Sequence, residues 1–186
     1  MTNQQNIQHY AVFVAGKDRP GIVAAISEGL YNLGCNVADS SCAMLGGEFA
    51  MILIVSHARP FSKTRLLREL KPICDRWDMS LAARAMPQNE ASRGEAAGEI
   101  CLVSLYGADQ SGIVFRVTRE LARHKINITD LSTKLVGSQE EPVYVMMIEA
   151  VLPEDQTPEQ LENLLENLKK ELNVEIGVRA VTPVSL

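Results

Sequence analysis

The chain has 186 residues, of which 46% are hydrophobic and 22% charged, a globular composition that excludes disordered and fibrous classes. Its formal net charge of −5 argues against a phosphate-neutralising surface, so no direct nucleic-acid contact is expected. Residues 1–8 lack the basic flank and apolar core of a signal peptide, and the longest apolar run, Phe49–Val55, is too short to span a bilayer; the expected location is the cytoplasm, without membrane contact.

His9–Ala15 reads as a first strand, with Tyr10, Val12 and Val14 on one face and Ala11, Phe13 and Ala15 on the other. Both faces are apolar, so burial of both is expected. A loop from Gly16 to Gly21 leads into a helix, because Ile22, Ile26, Leu30 and Leu33 recur at helical spacing and Gly34 supplies a stop. Asn36–Met44 and Phe49–Ser56 form a hairpin around Leu45-Gly46-Gly47-Glu48. Ser62 caps a second helix bearing Leu66, Leu67, Leu70, Ile73 and Trp77, which Pro72 should kink or shorten. Met79–Met86 completes a βαββαβ unit. Pro87–Glu99 is polar, without periodicity, and reads as a linker.

The same grammar then repeats. Strand Ile100–Tyr106 precedes a helix with Ile113, Val117 and Leu121 on its buried face; strands Ile128–Val136 and Val143–Val151 flank a longer hairpin loop, Gly137 to Pro142. Thr157-Pro158-Glu159-Gln160 opens the last helix with a capping box and a proline at its first position, and Val174–Val181 is the last strand. Leu161, Leu164, Leu165, Leu168 and Leu172 form one packed helix face, too short for a zipper. A constant offset of 91 pairs Leu30 with Leu121, Asn36 with Asn127 and Asp39 with Asp130, rising to 95 after the longer loop. Two duplicated domains follow, spanning 1–86 and 100–186 with 87–99 between them. The fold class is α+β: two tandem ferredoxin-like units, each an antiparallel sheet with both helices on one face. Apolar residues remain on the other face, so the domains should pack on each other or on a second chain.

The duplicated stretch of most chemical interest is Gly16-Lys17-Asp18-Arg19-Pro20-Gly21-Ile22-Val23, matched by Gly107-Ala108-Asp109-Gln110-Ser111-Gly112-Ile113-Val114. A strand-to-helix turn presents unpaired amides and the positive end of the helix dipole, which suit a carboxylate or phosphate. Gly21 and Gly112 leave room for a ligand to approach the backbone. Asp18 and Asp109 accept either from nearby amides, as simple helix caps, or from a ligand ammonium group. Asn36 and Asn127 open the second strand of each unit, expected at the edge nearest that loop; each either contacts a ligand or merely tolerates an unusual loop-end conformation. Cys35, Cys42, Cys74 and Cys101 and the isolated His9, His57 and His124 show no metal-ligand spacing, so neither metal nor cofactor is expected.

Asp18-Arg19-Pro20-Gly21-Ile22-Val23, Asn36-Val37-Ala38-Asp39-Ser40 and Ala43-Met44-Leu45-Gly46-Gly47-Glu48-Phe49 carry a family resemblance. The chain resembles the ACT domains, small βαββαβ modules that bind amino acids and regulate enzymes or transcription. Within that family, copy one is similar to tandem-ACT transcriptional repressors of glycine cleavage. The resemblance implies a non-catalytic regulator that binds glycine or serine, forms a homodimer and contacts a DNA-binding activator. It also implies ligand contacts from Asp18, Arg19, Pro20, Gly21, Ile22 and Asn36, and from Asp109, Gly112, Ile113 and Asn127, at an interface between domains. Copy two departs from the motif at Gln110 and Ser111, which favours binding in copy one and dimerisation through copy two.

Three rival functions remain. A ligand-independent interaction scaffold needs no pocket. A phosphoester or acyl-phosphate hydrolase could use Arg19 and Asn36, but no paired carboxylates, Cys–His pair or nucleophile elbow accompanies them. RNA stacking on the sheet is disfavoured by only 5% aromatic residues.

Overall fold

The computed structural model describes residues 7–59, 61–87, 98–138 and 140–181. Contacts divide the chain into two units, Met1–Gly94 and Glu95–Leu186. Most of the expected linker, residues 88–97, and Gln139 of the longer hairpin loop lie outside the described residues.

Unit one runs β1 (Gln8–Lys17), α1 (Ile22–Asn32), β2 (Asn36–Leu45), β3 (Glu48–His57), α2 (Lys63–Arg76) and β4 (Met79–Met86). Unit two repeats this as β5 (Ile100–Gly107), α3 (Ile113–Arg123), β6 (Asn127–Gly137), β7 (Pro142–Val151), α4 (Pro158–Leu172) and β8 (Val174–Val181). The sheet orders are β2-β3-β1-β4 and β6-β7-β5-β8, antiparallel throughout, as the ferredoxin-like pattern requires.

Each core lies on the helix side of its sheet. In unit one, Tyr10, Val12 and Val14 of β1 and Phe49, Met51, Leu53 and Val55 of β3 meet Ile22, Ile26 and Leu30 of α1. From α2 they meet Leu66, Leu70 and Cys74. Cys74 joins this core although the leucine spacing alone did not single it out. The opposite face is only partly covered. Ala11 is buried, but Phe13 and its cross-strand neighbour Ile52 keep 38% and 47% of their surface exposed. Burial of both faces therefore fails at the centre of the sheet.

Pro72 does not shorten α2, which continues to Arg76. An interior proline loses its own N–H bond and crowds the carbonyl four residues back, a cost of about 3 kcal/mol that packing has to offset. Leu70 and Cys74, buried on either side of it, hold the helix to the sheet.

Local chemistry fixes the element ends. Gly46 and Gly47, at φ +61° and +85°, form the two-residue turn that the right-handed strand twist favours, with Leu45 facing Glu48. Ser62 Oγ accepts from the Arg65 N–H, and Thr157 with Gln160 makes the reciprocal capping box. Helix α1 ends with Cys35 N–H donating to the Leu30 carbonyl and Gly34 N–H to Tyr31, a Schellman pair with Gly34 left-handed. Helix α3 ends with the same pair, Ile126 to Leu121 and Lys125 to Ala122, but a lysine holds the left-handed position at φ +58°.

A side chain in that conformation is strained, whereas glycine is not. Lys125→Gly should therefore stabilise unit two by about 1 kcal/mol. Gly34→Ala should destabilise unit one by a similar amount, and urea unfolding of the two variants measures both.

Candidate functional site

The strand-to-helix turns are built alike. Gly21 and Gly112 are the N-caps of α1 and α3, left-handed at φ +100° and +93°, and no side chain caps either helix. Asp18 and Asp109 are thus not helix caps. The amides of 22–24 and 113–115 keep no side-chain acceptor, and with the dipole they form a positively polarised end. Asp18, Arg19, Pro20 and Gly21 are exposed, as are Asp109 and Gly112. Ile22 and Ile113 retain only 2% and 1% exposure. Their side chains belong to the core, so only their backbone N–H groups face outward chemistry.

Register moves the asparagines away from this end. Asn36 pairs with Ser56, which pairs with His9 at the start of β1; Lys17, next to the loop, pairs with Glu48 at the far end of β3. About eight residues of strand, roughly 27 Å, separate Asn36 from Asp18. Asn127 likewise pairs with Val151 beside Ile100, while Gly107 ends the strand that leads to Asp109. The expectation that each asparagine lies at the edge nearest its own loop is therefore wrong. The helix carries the chain back along the sheet before β2 begins, so β2 starts at the opposite end from the loop.

The two loops are anchored differently. In unit one the Asp18 N–H donates to the Gly47 carbonyl at 2.9 Å, tying loop to hairpin turn, and a Cβ on Gly21 would lie 3.3 Å from the Trp77 ring. In unit two Gln110 Nε2 donates to the Leu172 carbonyl, and Arg116 forms an ion pair with Glu171, both joining the start of α3 to the end of α4. Gln110 occupies the position of Arg19. Among the described residues Arg19 has no ion pair, so copy one offers a free cation where copy two has spent its amide. A cleft of about 420 Å³ opens beside the second loop, bordered by Asp109, Gln110, Gly112, Val114, Phe115 and Tyr144. Its size suits a small ligand. Sequence patterning missed Trp77, Phe115 and Tyr144 as neighbours of the loops, because their proximity depends on tertiary packing.

Burial pushes the Cys35, Cys74 and Cys101 thiols up from their ordinary value, so all three are protonated at neutral pH and poor nucleophiles. Among the described residues, no group of three or more His, Cys, Asp or Glu side chains is placed to hold a metal ion, and no helix is long and apolar enough to cross a membrane.

The ACT-domain family model matches residues 9–84 and 99–179, one copy for each unit. The chain belongs to the ACT-domain family. It is 29% identical over 183 residues to the glycine cleavage system transcriptional repressor of Escherichia coli strain K12, covering 94% of this chain and 91% of that protein. A crystal structure of an unknown protein from Galdieria sulphuraria is 27% identical, with a TM-score of 0.82 over 95% of this chain and all of that one. A candidate glycine cleavage system transcriptional repressor of known structure, 20% identical with a TM-score of 0.72, shares the fold over 96% of this chain and 99% of its own.

Gln110→Ala removes a partly buried hydrogen bond that holds loop to helix, so unit two should lose about 1 kcal/mol. Amide exchange at Ile113 and Val114 should accelerate, and hydrogen-exchange NMR reads both effects.

Proposed function

We propose that this ACT protein is a non-catalytic regulator that senses a small amino acid, glycine or serine, and controls transcription of glycine-cleavage metabolism by contacting a DNA-binding activator. The observation that carries this reading is the pair of uncapped helix starts on left-handed glycines, each beside an exposed aspartate. The free amides and dipole suit the ligand carboxylate, while Asp18 or Asp109 suits its ammonium group. Glycine and serine fit because little side-chain volume is needed at a backbone cradle. The similarity to the Escherichia coli repressor supports the regulatory half of the reading. A net charge of −5 agrees with action through a protein partner in the cytoplasm rather than through DNA.

Copy one is the preferred binder, with Asp18, Arg19, Pro20, Gly21 and the Ile22 N–H. Its Arg19 has no ion pair among the described residues, whereas Gln110 is committed to Leu172. Asn36 is too far from Asp18 for one amino acid to touch both within a unit. A joint site needs another ACT unit to supply the asparagine. The cleft at the second loop favours a different assignment, binding by Asp109, Gly112 and the Ile113 N–H, with Asn127 as far from it as Asn36 is from Asp18.

The test is a thermal-shift titration with all amino acids. At a hundred times Kd a ligand specific to the folded state adds about 2.7 kcal/mol, several degrees in Tm. Glycine or serine should raise Tm, and Asp18→Ala should abolish the shift while Asp109→Ala leaves it. The reverse pattern moves the site to copy two. No shift with any amino acid leaves the chain as a ligand-independent scaffold.

A further inference from the structure

Charge is divided unequally along the chain. Residues 1–94 carry ten Lys and Arg against eight Asp and Glu, whereas residues 95–186 carry eight against fifteen. Half of the first ten, Lys63, Arg65, Arg68, Lys71 and Arg76, lie on the single helix α2. Arg65, Arg68, Pro72 and Arg76 follow one another at three- and four-residue spacing, so they form one exposed ridge opposite the buried Leu66, Leu70 and Cys74. At 1.5 Å of rise per residue the ridge is about 17 Å long. Glu69 and Asp75 flank it, one on each side, and pair with Arg68 at 2.7 Å and Lys71 at 2.8 Å. Lys63 and Arg76 form no ion pair among the described residues, and the Arg65 guanidinium lies over the Phe61 ring, 5.2 Å from its centre.

A solvated helix face would not be charged in this way. The helix dipole disfavours cations at a helix start, yet α2 opens with Lys63 and Arg65 and has no acid in its first turn. Its counterpart α4 obeys the dipole, with Glu159 in the first turn and Lys169 and Lys170 in the last. At the offset of 95, Arg65, Arg68, Lys71 and Arg76 correspond to Gln160, Asn163, Glu166 and Glu171. The fold therefore does not need these cations, and α2 carries them against its own stability. Pro72, in the middle of the ridge, has no N–H for the Arg68 carbonyl, which leaves an acceptor there without its usual helix partner.

We infer that the α2 ridge docks an acidic surface of a partner protein. Arginine forks take carboxylates two bonds at a time, and three of the ridge's four positions are arginines. An extended polyanion such as DNA fits less well, because Glu69 and Asp75 interrupt the cationic strip and the whole chain carries a net charge of −5. A compact acidic patch meets the arginines and stops short of both carboxylates. The ridge also ends beside the ligand loop: Arg76 precedes Trp77, whose ring is 3.3 Å from the position of a Cβ on Gly21. A partner seated on α2 is therefore a neighbour of the first loop. The inference rests on the preceding reading for the existence of a protein partner, and not for its ligand.

Fluorescence anisotropy on the full chain tests it with three labelled probes: poly-L-glutamate, a short DNA duplex, and the purified activator of glycine-cleavage transcription from the same organism. Poly-L-glutamate should bind more tightly than the duplex, and less well as salt rises. Arg65→Glu/Arg68→Glu/Arg76→Glu should weaken both poly-L-glutamate and the activator about tenfold or more. The same change of net charge elsewhere, Arg123→Glu/Lys169→Glu/Lys170→Glu, should leave activator affinity within about twofold, because distant exposed charges are screened. Should the ridge reversal fold poorly by circular dichroism, Arg65→Gln/Arg68→Gln/Arg76→Gln decides, and it should weaken both probes in the same direction. Unchanged affinity in the ridge variants, no binding of poly-L-glutamate to wild type, or tighter binding of the duplex overturns the inference. An activator that ignores wild type while poly-L-glutamate still requires the ridge sinks the preceding reading alone.

Discussion

Once β1 has turned into α1 at a left-handed glycine, the helix must travel back along the sheet before another strand can begin. That direction of travel decides the layout of the whole unit. It places the free amides of the helix start at one end and the opening residue of β2 at the other. It also leaves β2 and β6 at the sheet edges, with β3 and β7 between them and the central strands. Both consequences follow from connectivity and would survive almost any choice of side chains.

The fold was largely legible in the residues. Hydrophobic alternation in β3, the Gly46-Gly47 pair, Ser62, and the Thr157–Gln160 box are local signals whose physics needs no tertiary partner. The site was legible only in part. The repeated loop announced itself through its glycines, but Asp18 was open to a capping role that the backbone assigns to Gly21 instead. Asn36 was misplaced because nearness was judged from the order of elements rather than from strand direction. Trp77 beside Gly21 and Gln110 on the Leu172 carbonyl are packing facts, and neither has a spacing pattern to betray it.

The duplication kept its skeleton and exchanged its fastenings. Glycine ends α1 where a strained lysine ends α3, at the same hydrogen-bonded turn. An aromatic ring backs one loop; an amide and an ion pair secure the other. Backbone geometry is what the two units share, since it is set by connectivity, while side-chain anchors are interchangeable solutions to the same local need. Such exchange lets one copy keep an unoccupied cation at its loop while the other uses that position for its own cohesion.

The bond from the Asp18 amide to the Gly47 carbonyl joins the turn between β2 and β3 to the loop before α1. Glycine at 46 and 47 lets that turn adopt the left-handed backbone that brings the Gly47 carbonyl to the loop, so the loop and the hairpin tip are tied at one point. Whatever occupies the loop at Asp18 therefore sits one hydrogen bond away from the end of an edge strand.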